Sequence, residues 1–471
     1  MKTKHATLAA VVLLIAICAD AGAMIFKSDT VTAQWDTWCY YHKGTYYLYY
    51  LVTEKTGEGF CVATSKDGVH WKDHGWAIRQ SKKNTFYLGT GSVWKSPDFD
   101  KSRRFICNYS EHRTDESGKR TQNILFAWST DLINWNKFPE EKMFKVDTRH
   151  YKQFGRWDCI FSIPREQGGY WGTWTATGKD RNGTVGIGYS EDGLSWKALP
   201  PPVVEPGVYE SGAFHRFNGR IHAMFGARGM WAYSADDVTG PYKRSEKNPL
   251  LLAPGHTYFS RFFPTPDGVL VNHHAMTGEF NHKRFITCDT YVAPLKLAEV
   301  DHEDILRLKY WKGNDALKGE VVKVAAGESS DGVVLAEGLD FGKGIVVEGT
   351  MRLPPDKDAS PKVVRIKADE RHFALRFFHD GKVEMGTTDQ CGGDWKKQHE
   401  ADRQWKFGRT ASLRLLMRRG MLEAYLDDHF MECWTMGCHR AKAVTIAVPG
   451  TGDDLPVSVV KMWHMTLPSW K

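Results

Sequence analysis

Three acidic residues stand at the starts of aromatic, strand-like segments that are far apart in the chain. They are Asp36 in AQWDTW, Asp158 in GRWDC and Glu210 in VYESG. An acid in an apolar strand, rather than in a polar turn, is costly to bury unless it is hydrogen-bonded or functional. The alternative for any one of them is that it caps a turn or pairs with a nearby arginine.

Carboxylates that face each other across a pocket are suited to hydrolysing glycosidic bonds. One protonates the leaving oxygen and needs a raised pKa, while the other attacks the sugar or activates water. A third acid that binds a sugar hydroxyl can stabilise the oxocarbenium-like transition state. We therefore predict a glycosidase with Asp36, Asp158 and Glu210 as catalytic residues, and this chemistry requires no cofactor.

A repeated pattern indicates how distant acids could meet. Ser-x-Asp-[Gly/Leu]-x-x-Trp occurs at 65–71, 129–135 and 190–196, each time after an apolar run, and a weaker copy begins at Ser234. A strand, a polar turn and a Trp that packs on the next unit are typical of propeller blades. Because the innermost strand of each blade lines the central channel, we expect the three acids to share one phase of the repeat and to converge there.

The remaining sequence predicts an all-β protein with a five-bladed β-propeller at 24–290 and a C-terminal β-sandwich at 319–471. Short β-branched and aromatic strands fill the first range, and strands that alternate apolar and polar residues fill the second. Residues 291–318 are predicted to be a linker, with a short helix around 301–308. The +7 net charge is scattered, without a basic run, so no nucleic-acid partner is expected.

The N-terminus has the features of a secretory signal peptide at 1–23. Lys2 and Lys4 precede an apolar stretch that ends in the small-residue cleavage signal AGA. We expect a secreted or periplasmic protein with no membrane span, because no later segment reaches transmembrane length. Ile17 is larger than lipoprotein processing usually tolerates, so a lipid anchor at Cys18 is not expected.

Cysteine spacing indicates no metal site. The eight cysteines that follow the leader include no CxxC or Cys/His ligand pattern. Buried free thiols and disulfide bridges both remain open for them. His273 and His274, which follow Asn272, are expected to be ordinary polar core residues rather than neighbours of a central ion.

The motifs around the acids resemble those of the five-bladed propeller glycoside hydrolases of families 32, 68 and 43. Family 32, which contains invertases, inulinases and levanases, is closest in layout. The resemblance rests on Asp36 with the following YYxxGxYYLYY, on Gly91-Ser92, on Arg156 to Asp158, on Glu210 and on the Ser-x-Asp repeats. It extends to LRLLMRRGMLEAYLDDHFMECW at 413–434, which is similar to the sandwich signature of family 32.

The resemblance implies a role for each acid. Asp36 matches the nucleophile of families 32 and 68, or the general base of family 43; Asp158 matches the transition-state stabiliser and Glu210 the acid/base. The family pattern Arg-Asp-Pro has become Arg156-Trp157-Asp158-Cys159, and the intervening Trp is expected to move Arg156 to the opposite face of the strand. Terminal fructofuranosyl, arabinofuranosyl or galactofuranosyl residues of an oligo- or polysaccharide therefore all remain candidate substrates.

Aromatic and polar residues near the same strand starts could form the sugar pocket, because Trp and Tyr stack on apolar sugar faces while Arg donates to hydroxyls. The predicted substrate-binding residues are Trp35, Ser92, Trp94, Arg156, Trp157, Tyr209, Arg228 and Trp231. Packing between blades is the alternative for each of them. For the whole protein, the alternatives are a noncatalytic carbohydrate-binding propeller and a structural or protein-binding propeller.

Overall fold

The structure is a computed structural model that describes residues 24–31, 34–54, 57–81, 85–114, 117–180, 185–205, 210–226, 229–253, 257–277, 289–324, 327–329, 332–389, 393–438, 441–450 and 455–468. These ranges are almost entirely β-structure, with one short helix, α1 (Phe99–Ser102), and 3₁₀ turns at Glu140–Lys142 and Lys312–Leu317. No helix in them is long and apolar enough to cross a membrane. The predicted signal peptide at 1–23 lies outside the described residues.

The described ranges contain five antiparallel sheets that follow one another along the chain and form the blades of a propeller. The strands of blades 1 and 2 are β1 (Gln34–His42), β2 (Thr45–Glu54), β3 (Gly57–Ser65), β4 (Trp71–Arg79), β5 (Thr85–Gly89), β6 (Val93–Lys95), β7 (Phe105–Thr114), β8 (Arg120–Ser129) and β9 (Asn136–Lys137). The strands of blades 3 and 4 are β10 (Trp157–Pro164), β11 (Tyr170–Ala176), β12 (Val185–Ser190), β13 (Trp196–Ala198), β14 (Glu210–Phe217), β15 (Arg220–Gly226), β16 (Met230–Ala235), β17 (Lys243–Arg244) and β18 (Leu250–Leu252). Blade 5 consists of β19 (Thr257–Thr265), β20 (Gly268–Thr277), β21 (Asp289–Val292), β22 (Lys296–Val300) and β23 (Leu306–Tyr310).

The Ser-x-Asp repeat forms the turn between the two outer strands of a blade. In blade 2, the Ser129 hydroxyl accepts a hydrogen bond from the backbone N–H of Leu132, and the Asp131 carboxylate accepts those of the next two residues at 2.9 and 2.8 Å. The Asp carboxylate accepts the corresponding two backbone N–H groups in blades 1 and 3 as well. Leu132 has φ 66°, where the other two copies place Gly68 and Gly193. The Ser and Asp side chains thus accept the hydrogen bonds of backbone N–H groups that have no backbone partner in the tight turn.

Buried asparagines join neighbouring blades. Asn272 on β20 donates to the carbonyl oxygen of Thr37 at 2.9 Å and accepts from the N–H of Cys39 at 3.1 Å, which closes blade 5 on blade 1. Asn108 on β7 donates to the carbonyl oxygen of Ile160 at 2.8 Å and accepts from its N–H at 2.7 Å, which joins blade 2 to blade 3. Both asparagines are fully buried.

The predicted linker at 291–318 contains the outer strands of blade 5. β22 pairs with β20 and with β23, and the helix expected around 301–308 is instead a turn followed by β23. The prediction of that helix is wrong because Leu306, Leu308 and Tyr310 are all buried, at the two-residue period of a strand. The structure thus continues blade 5 where a connector was expected.

The C-terminal region forms two packed sheets. The first continues from β23 in the order β23-β34-β33-β32-β27-β36-β24, and the second has the order β25-β26-β35-β28-β29-β30-β31. Their strands are β24 (Lys318–Val322), β25 (Gly327–Ser329), β26 (Gly332–Asp340), β27 (Ile345–Arg352), β28 (Lys362–Ala368), β29 (Arg371–Phe377), β30 (Lys382–Thr387), β31 (Lys396–Asp402), β32 (Thr410–Arg418), β33 (Met421–Leu426), β34 (His429–Thr435), β35 (Ala443–Val448) and β36 (Val457–Met465). Residues from both sheets, among them Leu375, Leu415 and Trp434, share one apolar core. The predicted fold class, a propeller followed by a β-sandwich, is confirmed.

The cysteines of the described ranges are free thiols. They are Cys39, Cys61, Cys107, Cys159, Cys433 and Cys438. Of the two possibilities left open by the sequence, the structure has the free thiols at these positions. Cys288 and Cys391 lie outside the described residues.

The turn chemistry predicts the effect of removing one carboxylate. Asp131→Ala should lower the free energy of unfolding by about 1 to 2 kcal/mol, because two backbone N–H groups lose their acceptor. Urea denaturation measures this change. Glu166→Ala, at an exposed acid in another turn, is the control and should change it by less than about 0.5 kcal/mol. Equal midpoints for Asp131→Ala and wild type would contradict the role of the turn.

Candidate active site

The three predicted acids share one site at the propeller axis. The guanidinium of Arg156 lies 2.9 Å from Asp158 Oδ2 and 3.2 Å from Glu210 Oε1 through the same nitrogen. Those two carboxylate oxygens are therefore no more than about 6 Å apart. Asp36 is close enough for the charges of both other acids to raise its pKa. The convergence expected from the sequence is present.

The three acids lie at or next to β-bulges in the first strands of their blades. In the described residues of every blade, the first strand shifts register near its start. The last ladder pair before the shift involves Trp35 in blade 1, Asp158 in blade 3 and Ser211 in blade 4. Relative to the last pair of its own blade, Asp36 comes one residue later, Asp158 is a member of the pair, and Glu210 comes one residue earlier. The prediction of a shared phase is wrong, because an extra residue in a bulge re-aims the side chains around it.

Asp36 is a buried acid that holds a proton up to nearly neutral pH. Burial raises its pKa to about 7, the positive charge of Arg261 opposes this, and Glu210 and Asp158 raise it further. The Thr90 hydroxyl donates to Asp36 Oδ2 at 3.3 Å. The backbone of Asp36 is left-handed, with φ 51°. Both the position of the carboxyl and its protonation are therefore imposed by the surroundings.

Asp158 is the ionised acid of the site. Burial alone would raise its pKa, but Arg156, then His112 and two hydrogen bonds outweigh it and lower the pKa to about 2. These two bonds come from the Ser110 hydroxyl and the Cys159 thiol. A Cβ on Gly89 would lie 2.0 Å from Asp158 Oδ1. The carboxylate therefore occupies the space that any larger side chain at position 89 would fill. Two carboxyls of the same site therefore have very different pKa values, because their surroundings differ.

Arg156 lies on the same side of the chain as Asp158, contrary to the prediction. Its guanidinium pairs with both Asp158 and Glu210 and is 43% exposed as a side chain. Two residues separated by one neighbour share a face of a strand, so the inserted Trp157 brings Arg156 and Asp158 together. Arg156 can therefore contact a ligand that reaches these acids.

Two of the predicted sugar-binding aromatics belong to the blade core. Trp157 is fully buried against Trp174, and its indole N–H donates to the carbonyl oxygen of Phe144 at 3.0 Å. Trp94 is 3% exposed, and its indole N–H donates to the carbonyl oxygen of Gly193 at 3.2 Å. The prediction that these two bind sugar is wrong. Trp157 adjoins Asp158 on its strand and must point to the opposite face.

The other predicted sugar-binding residues have different surroundings. Ser92 is buried, and its hydroxyl donates to the carbonyl oxygen of Ile160 at 2.7 Å, so it holds blades together instead of facing a ligand. Trp231 is half-buried on β16, beneath the guanidinium of Arg244. Trp35 is the neighbour of Asp36 and is 5% exposed. Tyr209 and Arg228 lie outside the described residues.

Several residues around the acids were not anticipated. Arg261 on β19 is 2% exposed and donates to Thr90 Oγ1 at 3.4 Å. Tyr87 packs between Trp35 and His112, with ring centroids 5.4 and 4.7 Å away. The signal that identified the acids, a charge within an aromatic strand, is also present at Arg261 in TYFSRFF.

The histidines of β20 lie in the buried core. His273 and His274 are both buried, and burial lowers the pKa of His274 to about 3, so its imidazole is neutral. In the described part of the chain, no group of three or more His, Cys, Asp or Glu is arranged to hold a metal ion. Their surroundings are those of core residues.

Comparison with known proteins supports the family resemblance. Residues 37–212 match the sequence model described as "Glycosyl hydrolases family 32 N-terminal domain". This range contains Asp158 and Glu210 and begins one residue after Asp36. The resemblance to family 32 is confirmed, and the predicted enzyme class, a glycosidase that hydrolyses O-glycosyl bonds, is the class of this family. No curated protein matches the chain.

Solved structures with the same fold cover nearly the whole chain. A GH32 β-fructofuranosidase of Bombyx mori has a TM-score of 0.70 at 13% identity, with 96% of each chain covered. A sucrose-6-phosphate hydrolase of Lactobacillus gasseri has a TM-score of 0.70 at 13% identity, covering 93% of this chain and 91% of its own. The fructan 1-exohydrolase IIa of Cichorium intybus has 0.66 at 14% identity, covering 94% and 97%. At these identities the likeness is one of fold.

The buried carboxyls predict opposite effects of pH on stability. The folded-state pKa of Asp36 lies above its unfolded value, so its stabilising contribution is complete below about pH 4 and is lost as the pH rises through about 7. Asp36→Asn should therefore raise the free energy of unfolding at pH 8 by up to about 4 kcal/mol and have little effect at pH 4. Urea denaturation between pH 4 and 8 measures the trend.

Asp158→Asn is the matched control of opposite sign. The pKa of Asp158 is depressed, so its stabilisation is present above about pH 4 and is lost as the pH falls toward 2. This variant should lower the free energy of unfolding at pH 7 by about 2 kcal/mol. A stability difference between Asp36→Asn and wild type that does not grow with pH would contradict the described environment of Asp36.

Proposed function

We propose that the protein is an exported glycoside hydrolase that removes terminal fructofuranosyl residues from an oligo- or polysaccharide. Asp36 is the nucleophile, Asp158 stabilises the transition state and Glu210 is the acid/base. The observation that carries the proposal is the meeting of these three acids from blades 1, 3 and 4: Arg156 pairs with both Asp158 and Glu210, and the charges of these two acids act on Asp36. Export is proposed from the leader-like residues 1–23.

The first chemical step breaks the glycosidic bond. Ionised Asp36 attacks the anomeric carbon while the carboxylic acid of Glu210 gives its proton to the leaving oxygen, which forms a glycosyl-enzyme and releases the aglycone. Asp158, held ionised by Arg156, accepts a hydrogen bond from a sugar hydroxyl as positive charge develops on the ring. Burial of Asp36 strengthens its contact with that charge, since little water screens it.

The second step returns the enzyme to its starting state. Glu210, now ionised, takes a proton from water, and the hydroxide adds to the anomeric carbon as the bond to Asp36 breaks. Glu210 is the most exposed of the three acids, with 21% of its side chain accessible, so water and a leaving group can reach it.

A fructosyl substrate is proposed because of the proteins that share this fold. They are named as β-fructofuranosidases, a sucrose-6-phosphate hydrolase and a fructan 1-exohydrolase, and two of the named complexes contain sucrose and 1-kestose. Arg156 supports the same conclusion, since a guanidinium next to Asp158 can donate to the hydroxyls of a furanose ring. Arabinofuranosides and galactofuranosides are the substrates to test against it.

Turnover by matched variants tests the proposal. Purified protein should hydrolyse sucrose, 1-kestose or an aryl β-fructofuranoside with a higher kcat/KM than aryl arabinofuranosides or galactofuranosides. Glu210→Gln should lower kcat on sucrose by about 10²- to 10⁴-fold, because the proton donor is lost. Glu141→Gln, at an exposed acid of blade 2, is the control and should leave kcat unchanged. Binding of fructosides without turnover would instead identify a carbohydrate-binding propeller.

The environment of Asp36 also predicts the pH dependence of the reaction. The nucleophile must be ionised, and the pKa of Asp36 in the free protein is about 7. The kcat/KM should therefore fall about tenfold for each pH unit below 7. Initial rates with sucrose between pH 4.5 and 8.5 measure this limb. A kcat/KM that stays constant down to pH 5 would contradict Asp36 as the nucleophile.

A further inference from the structure

The backbone around Asp36 is held by a side chain from another blade. Asp36 and Thr37 lie in the bulge of β1, where the chain leaves its regular ladder with β2. Bulged residues leave backbone groups without ladder partners. Asn272 supplies them: its amide nitrogen donates to the carbonyl oxygen of Thr37 at 2.9 Å and lies 3.0 Å from the Thr37 hydroxyl. Its amide oxygen accepts from the N–H of Cys39 at 3.1 Å.

These bonds hold the backbone next to Asp36, whose conformation sets the direction of the Asp36 side chain. The left-handed φ of 51° at Asp36 is uncommon for a residue with a side chain and persists only where neighbouring contacts require it. Asn272 binds Thr37, directly after Asp36, and Cys39, one residue after the ladder resumes at Trp38. Because Asn272 is fully buried, no water competes for its amide.

The strand that carries Asn272 is fixed by the sandwich. The next residue, His273, lies 3.6 Å from Glu423 Oε1 on β33. Glu423 forms an ion pair with Lys296 of β22 at 2.6 Å and accepts a hydrogen bond from the Tyr425 hydroxyl at 2.6 Å. His273, Lys296 and Glu423 are completely buried. Glu423 and Tyr425 belong to LEAYLDD, part of the segment at 413–434 that resembles the sandwich signature of family 32.

A second buried asparagine, Asn108, binds the backbone next to another acid, Asp158. Asn108 makes the same pair of bonds, donor and acceptor, to Ile160, two residues after Asp158. In both blades, an amide from the second strand of the preceding blade binds the bulge beside an acid. Blade 5 differs from blade 2 because the residue after its asparagine reaches the sandwich.

We propose that Asn272 is the positioning residue for Asp36, and that the sandwich fixes Asn272 through the contact of Glu423 with His273 and Lys296. The C-terminal domain is then part of the catalytic apparatus, not a separate module. The inference rests on the proposed glycosidase function, since it concerns the nucleophile of that reaction. Asn272 touches no substrate and acts only through the backbone that holds Asp36.

Kinetics of Asn272→Ala, with a matched buried asparagine as control, test the first part. Asn314 is also fully buried, and its amide donates to the carbonyl oxygen of Leu295 at 2.8 Å. Asn314→Ala should cost similar stability but leave kcat within about twofold of wild type. Asn272→Ala should lower kcat on sucrose at least 100-fold, since a misplacement of about 1 Å costs about that much. KM should change less than threefold.

The shape of the pH profile separates positioning from general loss of stability. If Asp36 leaves its buried position in Asn272→Ala, the acidic limb of kcat/KM should move to lower pH, whereas Asn314→Ala should keep the wild-type limb. Asn272→Ser, which keeps one hydroxyl donor, provides a second variant and should recover part of kcat. Equal kcat and equal pH limbs for Asn272→Ala and Asn314→Ala would overturn the proposal.

A double-mutant cycle tests the part played by the sandwich. Glu423→Gln retains the size of the side chain but removes its charge, and should lower kcat about tenfold or more. If Glu423 acts through Asn272, adding Glu423→Gln to Asn272→Ala should cause no further loss of kcat. Additive losses, or an unchanged kcat in Glu423→Gln, would refute the coupling. A wild-type protein that hydrolyses no furanoside would instead refute the proposed function itself.

Discussion

Removing charged groups from water at the propeller axis is the constraint on which the rest of the site depends. Asp36 and Asp158 are both buried, and each would hold a proton well above its ordinary pKa if burial acted alone. For Asp158, the positive charge of Arg156 helps to outweigh the effect of burial on the pKa. For Asp36, the charge of Arg261 offsets that effect only partly. This unequal compensation gives two chemically identical side chains different protonation states within one site.

Bulges and buried asparagine amides determine where the acids are placed. A regular strand alternates its side chains between two faces, and neither face of an inner strand points along the axis. A bulge sets the backbone direction at Asp36 and another directly follows Asp158, and Asn272 and Asn108 bind the backbone of these two bulges. The cost of the unusual backbone at Asp36 is met by bonds from blade 5. Propeller closure and active-site geometry are thus the same set of contacts.

The sequence revealed the residues of the site better than their arrangement. Asp36, Asp158 and Glu210 could be found because a charge in an aromatic strand is conspicuous, and Arg261 carries the same signal. The prediction of their relative phase is wrong because a bulge adds one residue to a strand without any mark in the composition. The predicted face of Arg156 is wrong because residues separated by one neighbour share a face of a strand. Trp94 and Trp157 were misassigned since stacking on sugar and packing in a core require the same side chain.

The propeller and sandwich were predictable from repeated turns and alternating strands, whereas the continuation of blade 5 through 296–310 was not. Alternating leucines and charges fit a short helix or an edge strand equally well over so few residues. Asn272 likewise gave no signal, because its partners are backbone atoms of β1 that lie more than 230 residues away.

The burial of Asn108 has a consequence for how this protein can be produced. Asn108-Tyr109-Ser110 is an acceptor sequence for N-linked glycans, which requires a surface position. Here the amide of Asn108 is enclosed between two blades, and the Ser110 hydroxyl binds Asp158. A glycan attached before the blades meet would keep them apart and remove a partner of an active-site acid. A host that lacks this modification suits the chain, and material from a eukaryotic secretory pathway should fold only in the fraction left unmodified at Asn108.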